Sequence, residues 1–283
     1  MNWIKYLLLS ILAVFLAASW ALYFYAKSIG IIPRADYDEV APRMPDLKRP
    51  AILVLNKVNG FIHKDALPAA DNMFRQIARE KGWDIFVTDN AASHNTADLQ
   101  HFDVVIWNNV SGDVLTEQQR TDFKAWIEQG GGWLGVHASG GDASYQWPRY
   151  PKELIGAQFV GHTMDPQFQD ADVLVVDGPK DVTSHLPQRW TIPNEEWYAF
   201  DSNPREKGYE ILLVMDTSSY VTTGKSLFFV TDKMDGEHPI AWRHLLGDGR
   251  VFYSGIGHQA ATYSIPEYRE FLTRGLVWVM GKE

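Results

Sequence analysis

The sequence predicts an α/β domain on a doubly wound, mostly parallel sheet, preceded by one N-terminal transmembrane helix. Three observations carry this reading. Short apolar runs alternate with helical periodicity from Ala51 onward, as parallel strands joined by helices do. One apolar strand, Trp133–Val136, follows Gly130-Gly131-Gly132 and ends on His137, ahead of Gly140-Gly141. Upstream of both, no residue from Tyr6 to Ala26 is charged, a run long enough to cross a bilayer as a helix.

The elements follow in order. Residues 1–29 form the anchor or signal segment. Ala17-Ala18-Ser19 resembles a signal-peptide cleavage site, but Trp20–Tyr25 continues apolar beyond it, which favours an uncleaved anchor. Residues 30–50, with Pro33, Pro42, Pro45 and Pro50, read as a linker. The domain proper spans 51–283. Ala51–Leu55 is a buried strand and Asn56–Lys64 a loop carrying His63. Asp65–Lys81 is a helix with Leu67, Ala70, Phe74, Ile77 and Ala78 on one face, stopped by Gly82. Asp84–Thr88 and Asp103–Trp107 are further strands. Thr116 and Gln119 form a capping box for a helix whose apolar face is Phe123, Trp126 and Ile127. Beyond Val136 the pattern is less regular. A short helix is expected at Lys152–Gln158, and strands at Ala171–Val176, Ile211–Met215, Leu227–Val230, Ile240–Arg243 and Val251–Ser254, some antiparallel. A last helix opens on Pro266 and runs to Met280.

Composition narrows the function. A net charge of −9 argues against a nucleic-acid partner, because phosphate binding needs clustered Lys and Arg. The absence of cysteine removes disulfides, thiolate ligands and a cysteine nucleophile. Tryptophan (11) and tyrosine (12) are abundant enough to supply faces for a sugar ring as well as core.

In an open α/β sheet the ligand crevice lies beyond the carboxyl ends of the strands. The loops after Leu55, Trp107 and Val136 share that edge, so His63, Asn108–Asp113 and His137 are expected to converge. His162 and His258 also sit at glycine turns. Imidazoles with a carboxylate serve either as general acid and base or as ligands for a divalent ion such as Zn²⁺. Glu195-Glu196-Trp197-Tyr198 reads either as a loop with solvated acids or as a carboxylate beside a sugar-stacking ring, with Trp147 a second such ring. His94, His101 and His185 read as surface or loop residues. Ser139 lacks a Gly-x-Ser-x-Gly elbow, and Gly130–Gly132 lacks the ending of a phosphate loop.

Several stretches, in this order, resemble the trehalose-utilisation (ThuA-like) family. They are Gly60-Phe61-Ile62-His63, Asn108–Asp113, Gly130–His137, Gly156–Phe159 with Gly161-His162, Glu196-Trp197-Tyr198, His238–Trp242 and Gly249–His258. The resemblance implies a flavodoxin-like fold of the class I glutamine amidotransferase type. It does not imply glutaminase activity: His137 stands where that chemistry needs cysteine, and Ala260 where it needs glutamate. It does imply a carbohydrate substrate, with cleavage of a 3-keto-glycoside, or a related transformation of a keto-sugar, as the expected reaction. The expected site has His137, His63 and Glu196 as catalytic groups. Asn109, Asp113, Trp147, Trp197, Tyr198 and His238 bind substrate, and His162 and His258 are partners or ligands of a divalent metal such as zinc. The resemblance also favours export, placing an anchored domain on the periplasmic or extracellular side. The rival reading is a membrane-tethered, non-catalytic module binding carbohydrate or protein.

Overall fold

The computed structural model describes residues 2–34, 36–178, 180–223, 234 and 236–281. The predicted strand Leu227–Val230 lies outside them. Among the described residues one nine-stranded sheet organises the domain, in the order β2 (Asp84–Thr88), β1 (Ala51–Leu55), β3 (Val104–Asn108), β4 (Gly132–Val136), β11 (Gly249–Ser254), β10 (His238–Leu246), β9 (Glu210–Met215), β6 (Gln169–Val175) and β7 (Arg189–Glu195). Its parallel half contains β1 (Ala51–Leu55), β2 (Asp84–Thr88), β3 (Val104–Asn108), β4 (Gly132–Val136) and β11 (Gly249–Ser254). Strands β1, β3 and β4 are buried along their whole length, which is why they read as continuous apolar runs.

Helices cover both faces. The helix α4 (Glu117–Glu128), opened by the Thr116–Gln119 capping box, stacks Phe123 on Trp107. The last helix, α5 (Pro266–Val279), sets Phe271 against Phe252. Phe252 is adjacent in β11 to Tyr253, which shares a register row with Trp107 through Gly135, so the two aromatic contacts lie on opposite faces. The helix α2 (Ala66–Lys81) ends at Gly82 in a left-handed cap. The single turn α3 (Thr96–Leu99) precedes β3.

The second half departs from the simple alternation. β11 is followed across the sheet by antiparallel β10 (His238–Leu246), β9 (Glu210–Met215), β6 (Gln169–Val175) and β7 (Arg189–Glu195). A separate pair, β5 (Phe159–His162) and β8 (Tyr198–Phe200), lies apart from this sheet. The helix expected at Lys152–Gln158 is instead a π-helical turn over Tyr150–Ile155, with Pro151 near its start and Gly156 at φ +98° ending it.

The first helix, α1 (Asn2–Ser28), packs nothing against the domain along its apolar length. Its stretch Trp3–Ser28, with mean hydropathy 2.2, is long and apolar enough to cross a membrane. The segment after it runs along the domain. Lys57 Nζ pairs with Asp36 and Asp38 at 3.0 and 3.1 Å, and Gln119 donates to the Asp38 carbonyl. Arg34 N–H donates to Asn59 O at 2.6 Å, so the chain leaving α1 is bonded to the loop that carries His63.

Candidate active site

The carboxyl ends of β1, β3, β4 and β11 define one rim, and the loops leaving it deliver the imidazoles. His137 is the first residue after β4. Its φ of +44° is a left-handed conformation uncommon for a side-chain-bearing residue, and it forms a sharp elbow. The loop bearing His63 is pinned by close backbone approach: a Cβ on Gly112 (φ +73°) would stand 2.6 Å from Gly60 N. Ser111 Oγ adds a bond to Phe61 O at 2.7 Å. His258 follows β11, and Glu196 follows β7.

These four side chains meet. Each of His63, His137, His258 and Glu196 offers a ligand-type atom, and the four atoms lie within 4.8 Å of one another. His137 Nε2 is 3.3 Å from His258 Nδ1 and 3.5 Å from Glu196 Oε2, and His258 Nδ1 is 3.1 Å from that oxygen. The His63 ring stands edge-on to both His137 and His258, at centroid distances of 4.9 and 4.6 Å. His137 and Glu196 are buried, whereas the His258 and His162 side chains, 16% and 22% exposed, form the mouth.

The surroundings orient each group. His137 Nδ1 lies 2.7 Å from Gly255 O; a carbonyl only accepts, so Nδ1 carries the proton and Nε2 presents its lone pair. Gln167 Nε2 donates to Glu196 Oε1 at 2.7 Å. Glu195, fully buried, accepts from His258 N–H at 2.9 Å and from Thr262 Oγ1 at 2.6 Å. The carboxylate on the His258 ring is that of Glu196, just after β7, and not one two residues after His258. Burial depresses the His63 pKa well below its usual range, helped by His137 and His258. Burial pushes Glu196 up, but the hydrogen bond with His258 and the close His137 and His162 imidazoles outweigh it and hold Glu196 well below the carboxylate range. Burial lowers His258, and its bond to Glu196 outweighs that and raises it.

The other predicted residues divide. Tyr198 stacks on the His137 ring at 4.2 Å and forms a wall of the site. His162, paired with Tyr198 across β5 and β8, reaches Glu196 Oε1 at 3.4 Å, on the far oxygen from the imidazole cluster. Asn109 (φ +51°) lies behind the His258 turn, donating to Tyr263 OH, which donates to Gly257 O. Asp113 is not brought to the site: it bonds Arg120 and Gln146 N–H and fastens its own loop. Trp147 stacks on Tyr150 and lines a shallow cleft with Lys124, Arg149 and Glu153 instead of facing the histidines. Trp197 is core, its indole N–H donating to Gln169 O, because it alternates to the opposite side from Glu196 and Tyr198. His238 opens β10, with Tyr220 OH at Nδ1 and Met234 O at Nε2.

Sequence reasoning missed Gln167 and Phe168, the latter edge-on to His258 at 4.9 Å, because only the folding of β6 and β7 brings them over the rim. It also misplaced His94, which is fully buried against Trp107 Nε1–H and held near pKa 3 by desolvation. Ser139 Oγ bonds Trp107 O and Val110 N–H, a structural use that leaves no nucleophile at the elbow.

Near the site, Asp142 accepts from Gly112 N–H at 2.6 Å, and burial raises its pKa to about 6. A carboxyl whose folded pKa exceeds the unfolded value near 4 binds its proton more tightly in the folded state. Its contribution to stability is full below about pH 4 and lost as pH rises through 6. Asp142→Asn keeps an oxygen for Gly112 and removes that slope. The melting-temperature advantage of the variant over wild type should therefore grow between pH 4 and 7. Parallel melting-temperature profiles would show that Asp142 is not the titrating group.

The family model described as trehalose utilisation, ThuA, matches residues 51–279. The chain belongs to the ThuA trehalose-utilisation family. This ThuA-family chain is similar to the crystal structure of a protein described as ThuA-like from Bacteroides uniformis ATCC 8492. Identity is 25% and the TM-score 0.69, over 85% of this chain and 95% of that one. A second, from Parabacteroides merdae ATCC 43184, aligns at 17% identity and TM-score 0.60, over 82% and 90% of the two chains. The fold also aligns with 32% of a β-galactosidase from Rahnella sp. R3, at 16% identity and TM-score 0.50 over 84% of this ThuA-family chain, a likeness of fold alone. No curated protein matches the sequence.

Proposed function

We propose that this ThuA-family protein cleaves a 3-keto-glycoside, at a pocket where His162 moves the proton beside the His63–His137–His258–Glu196 cluster. The observation that carries the reading is the convergence of three imidazoles on one buried carboxylate, with a further imidazole at the mouth. A carbonyl at C3 of the sugar acidifies the hydrogen at C2. His162 Nδ1 lies 2.9 Å from Thr163 O and donates to it, which leaves Nε2 as a proton acceptor. Removing the C2 proton makes an enolate, whose charge an imidazolium or a cation held by the cluster would steady. As C1=C2 forms, the C1–O bond breaks, and the imidazolium returns the proton to the departing oxygen. Water adding across the double bond completes the cleavage to two free sugars. Tyr198, stacked on His137, forms one wall of the pocket. The helix α1 anchors the domain to the membrane, with the pocket on the periplasmic or extracellular face; the uncharged run past Ala17-Ala18-Ser19 supports an uncleaved anchor.

The test is incubation of the full-length protein with 3-keto-trehalose and with a 3-keto-glucoside, following free sugar. Release from the keto compounds, and none from trehalose itself, is expected, because only the ketone acidifies C2–H. Equal rates on both, or no release from either, would reject the reading.

A further inference from the structure

We propose that His63, His137, His258 and Glu196 form a binding site for a divalent first-row transition metal ion of the zinc type, in which three imidazoles and a carboxylate are the protein ligands. The site lies in the pocket described above, and the part the ion plays in sugar cleavage rests on that reading; the ion itself rests on geometry.

Ligand atoms about 2.0–2.1 Å from a zinc-type ion at tetrahedral angles stand roughly 3.3 Å from one another. His137 Nε2, His258 Nδ1 and Glu196 Oε2 are separated by 3.1, 3.3 and 3.5 Å, which is one face of such a polyhedron. His63 supplies the fourth corner within the same 4.8 Å cluster.

Proton counting points the same way. The Gly255 carbonyl fixes the His137 proton on Nδ1, so Nε2 is an acceptor. Glu196 Oε2 is an acceptor too, and His258 Nδ1 has at most one proton to share between them. His63 Nδ1 is buried with no hydrogen-bond partner, in a side chain more than nine-tenths buried. Lone pairs therefore face one another without enough protons to join them, and His63, a ring of the same cluster, has a buried nitrogen with no partner. One cation would satisfy the facing lone pairs. The outer contacts are those a ligand set needs: a carbonyl holding the His137 tautomer, Gln167 occupying the other Glu196 oxygen, and Glu195 holding the backbone of His258. An imidazole-rich set with a single carboxylate suits zinc, manganese, iron or cobalt and is poorly matched to Ca²⁺ or Mg²⁺, which take oxygen. The ion would polarise a sugar carbonyl and leave His162, outside the set, free to move the proton.

The full-length chain, purified in detergent and stripped with a chelator, is dialysed against Zn²⁺, Mn²⁺ or Co²⁺ and assayed by plasma mass spectrometry. About one ion per chain is expected. The Co²⁺ protein should show paramagnetically shifted imidazole N–H signals. The double variant His258→Ala/Glu196→Gln should lose affinity by more than the roughly 10–100-fold that removing an outer partner costs, and Gln167→Leu should fall within that range. A folded wild-type protein that takes up none of the three ions overturns the proposal. So does a double variant that keeps one ion at wild-type affinity, or a Co²⁺ protein without shifted imidazole signals, a readout that does not depend on the variants folding. An ion bound without sugar release upholds the metal centre and rejects only the keto-sugar reading. Full turnover by ion-free protein in chelator rejects only the ion's part in sugar cleavage.

Discussion

Replacing His162 with asparagine will slow sugar release from a 3-keto-glycoside by about 10²–10⁴-fold, the range supplied by a positioned acid–base group. The substitution is chosen to spare the fold. The asparagine amide can reproduce the donor that His162 Nδ1 directs to Thr163 O, and the side chain lies at the partly exposed mouth. What it cannot reproduce is a ring nitrogen able to take up and return a proton. The loss should fall on kcat, with KM little changed, because the group acts on the C2 proton and not on the ground-state sugar. Bound metal should stay at the wild-type level, since His162 meets Glu196 on the oxygen that faces away from the cluster. A variant within threefold of wild type would remove His162 from the proton path and leave the cluster itself as the only source of a base.

The parallel half of the sheet was legible because each strand is buried on both faces and bounded by a polar or glycine signal. Ala51–Leu55 and Trp133–Val136 are continuous apolar runs for that reason, and the Thr116–Gln119 capping box fixed the start of α4 to the residue. β7 was invisible for the converse reason. It is the edge strand, its residues alternate exposed and buried from Arg189 to Ile192, and it contains Pro193, which an edge strand tolerates and a central one does not. β5 and β8, of four and three residues, are too short to show any period.

The same division explains the site. His63, His137 and His258 each follow a strand of the parallel half, so knowing the strands located the imidazoles. Glu196 was recognised as a residue type in a suggestive stretch, but its place opposite the histidines depends on the fold of β7 over the rim. Asp113 and Trp147 lie near the right loops in sequence and point elsewhere, since Arg120 and Tyr150 capture them locally. Residue type and loop position settle which turn a side chain belongs to. Its direction is decided by partners distant in sequence, as Gly255, 118 residues on, decides it for His137.

Glu195 tests how far the site depends on that long-range scaffold. Its carboxylate is completely buried and accepts from Thr262 Oγ1 at 2.6 Å, His258 N–H at 2.9 Å and its neighbour Glu196 N–H at 2.9 Å. It thereby ties the end of the outermost strand to the turn after β11. Glu195→Ala leaves these donors buried and unsatisfied, at about 1–3 kcal/mol each, and opens a cavity. Relaxation recovers part of this, so a net loss of about 3–5 kcal/mol is expected. For a domain of this size that corresponds to a fall of roughly 10 °C in melting temperature. Activity should fall further than stability alone explains. At a temperature where the variant is still folded, kcat should drop about 100-fold, because a ligand or catalytic group displaced by about 1 Å costs that much. Glu195→Gln keeps one acceptor oxygen but turns an NH₂ group toward a donor, so it should lie between alanine and wild type in both readouts. A Glu195→Ala protein melting within 2 °C of wild type would show that His258 is held by its own turn, and that the strand contributes only Glu196 to the site.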